Sequence, residues 1–278
     1  MAQRRSFDKN YLEAEFEKLN TAIKKPLTFY LIGGGAMSFY GVKDATKDLD
    51  VILTAQDDLN SLQAALEAEG YQEPNHLVIT RPYDEMQTSA MLENQDGFRW
   101  DIFLNKVCGK LTLSTEMKNR AASLYQGSSL KVSLLSKEDL FLFKGITFRD
   151  ADVDDTAKLA GSGLSWGIIQ EECRRQSEVS SNCWEDALHQ NLLDLKEKYG
   201  IEAPIEKSLK ITAQRKIVEK ALVSQIEKGN NTVRTIAQGL DESPSFIRAE
   251  LKRLVNKDLI AIDESEKPHK FTLTKGVN

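Results

Sequence analysis

Cysteine, histidine and tryptophan are scarce in this 278-residue chain, three of each, and their spacing excludes more than their number does. Cys108, Cys173 and Cys183 form an odd set with no CxxC pair, and three histidines are too few to complete a zinc-binding spacing, so neither a disulfide framework nor a zinc site is expected. A reducing, cytoplasmic location fits that usage. No apolar run approaches the ~20 residues that span a bilayer, and residues 1–9 are polar, so neither secretion nor membrane insertion is expected. There is no internal repeat and no low-complexity tract. A net charge of -5 argues against a protein that coats nucleic acid along its whole length. The charge is uneven, however: residues 204–278 hold 14 Lys and Arg against 10 Asp and Glu, a local excess that suits a polyanionic partner at this end.

With 41% hydrophobic residues, a chain of this length has material for two or three ordinary cores. Residues 8–25 carry Tyr11, Leu12, Phe16, Leu19 and Ile23 at helical spacing before Pro26. Residues 27–32 read as a strand that runs into Gly33, Gly34 and Gly35 and then a short helix with Ala36, Met37, Phe39 and Tyr40. Another strand is expected over 48–53, a helix over 59–69 closed by Gly70, and further strands over 77–80, 88–92 and 98–104. From about Leu135 the pattern turns helical. Ser136 caps an acidic first turn ahead of Leu140, Phe141, Leu142, Phe143 and Ile146, and helices follow over 152–159, 165–175 and 184–198. Residues 205–208 read as a linker to a last unit, in which Ile217, Ala221, Leu222 and Ile226 form a helix closed by Gly229. Helices over 232–240 and 244–256 and strands over 259–262 and 271–273 then give the order of a winged helix-turn-helix. The expected architecture is an α+β fold with a small mixed sheet and flanking helices (1–135), a helical subdomain (136–204) and a C-terminal winged helix-turn-helix (205–278).

Side chains alternate along a strand, so Asp48 and Asp50 share one face while Leu49 and Val51 point to the other. Two neighbouring carboxylates repel unless a cation neutralises them, and hard oxygen donors suit magnesium or manganese. Asp101 lies amid aromatic and aliphatic residues, where an ionised acid needs a partner, and could join the cluster from an adjacent strand. The glycines at 33–35 alone would serve as a tight strand-to-helix turn; beside a metal they would turn backbone N–H groups toward phosphate oxygens.

The stretch GGGAMSFYGVKDATKDLDVIL resembles the signature of the DNA polymerase β-type nucleotidyltransferase superfamily: a strand ending in a glycine pair, a helix, then a DxD strand. Gly33 and Gly34 match the pair, Ala36 the small residue after it, Tyr40 and Gly41 the helix end, Thr46 the threonine before the acids, Asp48 and Asp50 the DxD, and Asp101 in WDIFL the third acid. The resemblance covers residues 10–165 and is nearest the nucleotidyltransferase-like toxins of abortive-infection systems. In that branch a helix after a Leu-Ser pair carries a lysine and an acidic helix follows; here Leu135, Ser136, Glu138, Asp139, Lys144, Arg149, Asp150, Asp152, Asp154 and Asp155 fit. Relatives tend to carry an arginine two before the threonine. Asp44 stands there in this chain, with Lys43 and Lys47 nearby, so contacts to the triphosphate are expected to be rearranged or weakened.

The resemblance implies transfer of a nucleoside monophosphate from a nucleoside triphosphate to an acceptor, with release of pyrophosphate. Asp48 and Asp50 would bridge two Mg2+ or Mn2+ ions, and Asp101 would ligate the second or receive the proton. Gly33, Gly34, Lys43, Thr46, Lys47 and Lys144 would bind the nucleotide, although Lys144 reads equally as a lysine snorkelling from a helix surface. Asp154 and Asp155 read as a solvated acidic face. The acceptor would be a nucleic acid such as tRNA or DNA, or a protein; the alternative is a DNA-binding regulator, or a toxin–antitoxin component with an antitoxin partner, on a non-catalytic transferase fold. In the C-terminal unit Ser245, Arg248, Lys252, Arg253, Lys267, His269 and Lys270 would meet nucleic acid, against the rival role of a protein contact, since Glu242, Glu250, Glu264 and Glu266 are interleaved with them. Trp100, Trp166 and Trp184 read as packing residues, His76 and His189 as incidental, and Cys108 as a small apolar filler.

Overall fold

The computed structural model describes residues 5–74, 87–147, 149–265 and 267–274, and the chain divides into two compact units, Met1–Glu206 and Lys207–Asn278. The first unit holds both the segment expected as a catalytic domain and the one expected as a helical subdomain.

Its centre is a six-stranded sheet. β1 (Leu27–Ile32) and β2 (Asp48–Leu53) are antiparallel; β4 (Arg99–Leu104) runs parallel to β2, and β3 (Ala90–Glu93) antiparallel to β4. On the other side β8 (Leu130–Leu134) is parallel to β1 and β7 (Ala122–Gln126) antiparallel to β8, giving the order β3-β4-β2-β1-β8-β7. Leu49, Val51, Phe29, Leu31, Trp100 and Ile102 are almost wholly buried in the inner strands, so desolvation of these side chains fixes the register on which the acids depend.

α1 (Lys9–Ala22) starts at Asp8, whose carboxylate accepts from the Tyr11 amide, and it packs against α3 (Gln56–Ala68). α2 (Gly33–Phe39) leaves β1 directly, and its C-terminal Tyr40 hydroxyl donates to the Leu135 carbonyl at 2.9 Å. A small hairpin, β5 (Lys106–Val107) with β6 (Leu111–Thr112), and α4 (Thr115–Arg120) lead into β7. Helices α5 (Lys137–Gly145), α6 (Asp150–Gly161), α7 (Trp166–Ser180) and α8 (Trp184–Tyr199) then pack together. Ser136 caps α5, its hydroxyl accepting from the Asp139 amide, and Trp166 meets Phe141 edge-on at 5.3 Å.

The second unit contains α10 (Val233–Leu240), α11 (Pro244–Asn256) and the hairpin of β9 (Ile260–Asp263) with β10 (Lys270–Leu273), preceded by α9 (Glu206–Glu227). Leu222, Ile226, Ile236, Ile247, Leu251, Leu254, Ile260 and Phe271 form its core.

Two differences from the sequence reading have physical causes. The expected linker at 205–208 gives way to α9 from Glu206, because 206–227 holds neither Gly nor Pro and is rich in good helix formers. β7 and β8 went unread: in β8 Leu130, Val132 and Leu134 alternate with Lys131 and Ser133 over only five residues, and pairing with β1 decides the strand. The strand expected at 77–80 lies outside the described residues, as does His76. No helix among the described residues is long and apolar enough to cross a membrane.

Candidate active site

The parallel pairing of β2 with β4 sets Asp50 opposite Asp101 and Asp48 opposite Arg99, so the three acids share one end of two adjacent strands. Arg99, two residues before Asp101 on the same strand face, reaches both neighbours: its Nη2 donates to Asp48 Oδ2 at 3.0 Å, and its Nε lies 3.1 Å from Asp101 Oδ1. The Asp101 side chain is only 1% exposed and that of Arg99 5%, whereas Asp48 keeps 25%. Asp50 is half-buried, and burial first, then the Asp48 carboxylate, push its pKa up to about 7 against the pull of Lys144 and Arg149.

Gly33 walls Asp50 from the β1 side. Its φ of +63° is left-handed, and a Cβ there would fall 2.0 Å from Asp50 Oδ2, so both the backbone conformation and the space require glycine. At Gly34 a Cβ would come within 2.6 Å of Thr46 Oγ1 and 3.4 Å of Lys43 Nζ. Thr46 is buried and donates its hydroxyl to the Asp48 carbonyl at 2.9 Å, which fixes the entry to β2; Lys47 beside it is exposed.

Cations come from Lys144 and Arg149 on the helical side and from Lys43 in the segment between α2 and β2. Lys144 Nζ sits 2.9 Å from Asp152 Oδ1 and 2.8 Å from Asp155 Oδ2, Lys43 Nζ lies 3.2 Å from Asp155, and Arg149 Nε 2.6 Å from Asp152. Burial lowers the Lys144 pKa, but Asp152 and Asp155 together outweigh it and hold the ammonium charged; for Asp152 burial is likewise outweighed by Lys144 and Arg149. Lys144 is therefore an inward, ion-paired residue with little exposed surface. Asp155, read from sequence as part of a solvated face, is buried: on α6 it follows Asp152 by three residues and precedes Leu159 by four, which turns it inward. Asp154 does face solvent, with Lys198 2.6 Å away.

Cys108 stands half-buried in the left-handed turn between β5 and β6, and burial pushes its thiol up to about 11 in the field of Arg149 and Asp50. Lys110 in the same turn donates to the carbonyls of Ile146 and Thr147 at 2.8 and 3.2 Å, tying the hairpin to the end of α5.

Asp48 and Asp50 are the carboxylates that combine oxygen chemistry suited to a divalent ion with access to solvent. Asp101 is occupied by Arg99, and among the described residues no group of three His, Cys, Asp or Glu side chains is arranged to hold a metal. Sequence reasoning missed Arg99. Its spacing of two from Asp101 on a strand was the available signal, as helical spacing was for Asp155.

In the second unit Arg248, Lys252 and Lys267 line a groove of about 1180 Å³ with Arg234, Ile262 and Phe271. Arg253 instead meets Glu250 at 2.8 Å and Glu219 on α9 at 3.4 Å. Ser245 lies 3.1 Å from Ser243 in the first turn of α11, and Lys270 is exposed on β10. His269 also borders the groove. Trp100 is core, edge-on to Phe29 at 5.7 Å, and His189 is buried 3.6 Å from Glu206.

A comparison with curated proteins finds no match. A family model described as a nucleotidyltransferase of unknown function (DUF6036) matches residues 10–200, which include every strand and acid of this site, and the chain belongs to that family.

Proposed function

We propose that this protein is a metal-dependent nucleotidyltransferase that moves a nucleoside monophosphate from a nucleoside triphosphate to a nucleic-acid or protein acceptor and releases pyrophosphate. One observation carries the reading: the strand side of the site sets three carboxylates against one guanidinium, and the side facing Asp50 offers Lys43, Lys144 and Arg149 against Asp152 and Asp155. Such a division suits a cation bound to a polyphosphate, with the ion toward the acids and the phosphates toward the lysines.

Asp48 and Asp50 would hold Mg2+ or Mn2+, which when bound supplies Lewis-acid polarisation of the phosphoryl oxygens and a lowered pKa for the attacking hydroxyl. Gly33 keeps the approach to Asp50 open. Lys43 and Lys144 would exchange part of their pairing with Asp155 and Asp152 for phosphate oxygens as charge develops on the leaving pyrophosphate. Thr46 and Arg99 orient Asp48, one through its carbonyl and the other through its carboxylate. The second unit reads as a winged helix whose Arg248, Lys252 and Lys267 would meet the phosphates of a nucleic-acid acceptor such as tRNA or DNA. A second reading, a DNA-binding regulator or toxin–antitoxin component with a non-catalytic transferase fold, is favoured by the engagement of Asp48 and Asp101 with Arg99.

Purified protein incubated with Mg2+ and each α-labelled nucleoside triphosphate, with total RNA or a protein extract as acceptor, should transfer label, and an Asp48→Ala, Asp50→Ala variant should not. Nucleotide binding without transfer for any triphosphate would leave the regulator reading standing.

A further inference from the structure

Within the transferase reading, on which this rests, the sequence offers the acids at 48, 50 and 101 to metal, yet Asp48 and Asp101 share a resident cation, and of the two Asp101 is the buried one. Arg99 and Asp101 project from the same face of β4, and the ladder to β2 puts Asp48 directly across from Arg99. The planar guanidinium can therefore meet both acids at once, Nη2 in a hydrogen bond to Asp48 at 3.0 Å and Nε within ion-pair range of Asp101 at 3.1 Å. Both the Asp101 and Arg99 side chains are almost fully buried, so the pair has been taken out of water together. A divalent ion moving onto Asp101 would arrive beside a buried positive charge, and Coulomb repulsion at that range is strong in a medium less polar than water. Asp48 shares that guanidinium but keeps a quarter of its side chain exposed, where water screens the repulsion and can complete an ion's shell, and Asp50 is half-buried and not in contact with Arg99 in any ion pair described above.

We infer that Arg99 replaces one of the cations of the site, so that the protein binds a single divalent ion on Asp48 and Asp50, and that Asp101 is a positioning residue that holds Arg99 instead of an ion ligand. The guanidinium then supplies a fixed positive charge beside Asp48 and Asp101, and the ion on Asp48 and Asp50 is the exchangeable one.

Mn2+ is the probe, its binding to the full chain counted by the electron paramagnetic resonance signal of the free ion, with and without a non-hydrolysable nucleoside triphosphate. The wild type should bind one ion per chain. In an Arg99→Gln, Asp101→Asn double variant both buried charges are removed together, which spares the fold an uncompensated ion; it should still bind one ion, because Asp48 and Asp50 remain. Asp50→Asn should weaken binding by about tenfold or more. Arg99→Gln alone, where circular dichroism and thermal melting show it folded, should bind a second ion at Asp101, and Arg99→Lys should stay at one. Two ions on the wild type, or a loss in the double variant as large as that of Asp50→Asn, would overturn this inference and leave the transferase reading untouched. No bound Mn2+ on the wild type, with or without triphosphate, would overturn both.

Discussion

On β2 and β4 one arginine is gripped by two aspartates whose spacing is set by strand register, whereas on α5 and α6 one lysine is gripped by two aspartates whose spacing is set by helix pitch. In the first set Arg99 is the cation between Asp48 and Asp101, and backbone hydrogen bonds hold both strands. The second is redundant, because Lys43 also meets Asp155 and Arg149 also meets Asp152. Similar chemistry thus gives a rigid acidic side and an adaptable basic side, which is the division a site needs if the acids are to stay in place while the cations change partners.

Removing the charge of Arg99 should break the comparison most sharply. Arg99→Gln leaves Asp101 buried without its guanidinium and should cost about 3–5 kcal/mol in urea unfolding, and adding Asp101→Asn should recover most of it. Gly33→Ala strains a left-handed residue and drives a methyl into the Asp50 carboxylate, for a loss of about 1–3 kcal/mol and, in the transfer assay, most of the activity. Lys144→Gln should cost less stability than Arg99→Gln, about 1–2 kcal/mol, because Lys43 and Arg149 still face the two acids; an equal loss would mean that the helical set is not redundant.

The raised pKa of Asp50 gives a pH signature. Between its ordinary value of 3.8 and about 7 the folded state keeps a proton that the unfolded chain has lost, so in the absence of divalent ions this group makes stability fall as pH rises through that window. Asp50→Asn should flatten the melting temperature across pH 4.5–7.5 relative to wild type. The smallest effect is expected on the outer face of α6, where Asp154 and Lys198 pair in full solvent: Lys198→Ala should leave the melting temperature unchanged.

Much of this arrangement was legible in the sequence. The DxD strand, the glycine turn, the third acid and the cap at Ser136 all rest on local rules, strand alternation, glycine geometry and helix capping, which neighbouring residues specify by themselves. Arg99 was missed because a charged residue beside an acid on a strand has many ordinary uses, and only the ladder to β2 makes it a bridge. Asp155 was misread because an acidic helix is usually solvated on every side; its face is decided by α5 and α8, against which α6 packs. β8 depended in the same way on β1, and α9 was cut short because its helix formers lack a strong apolar stripe.

What the sequence by itself determined is the set of chemical groups and their local geometry: two acids on one strand face, a left-handed glycine before a helix, a buried acid that needs a partner. Tertiary structure alone decided the pairing, which cation meets which carboxylate and which acid keeps access to water. Charge pairing is a matter of distance in space and of desolvation, and both depend on strands and helices far apart in the chain.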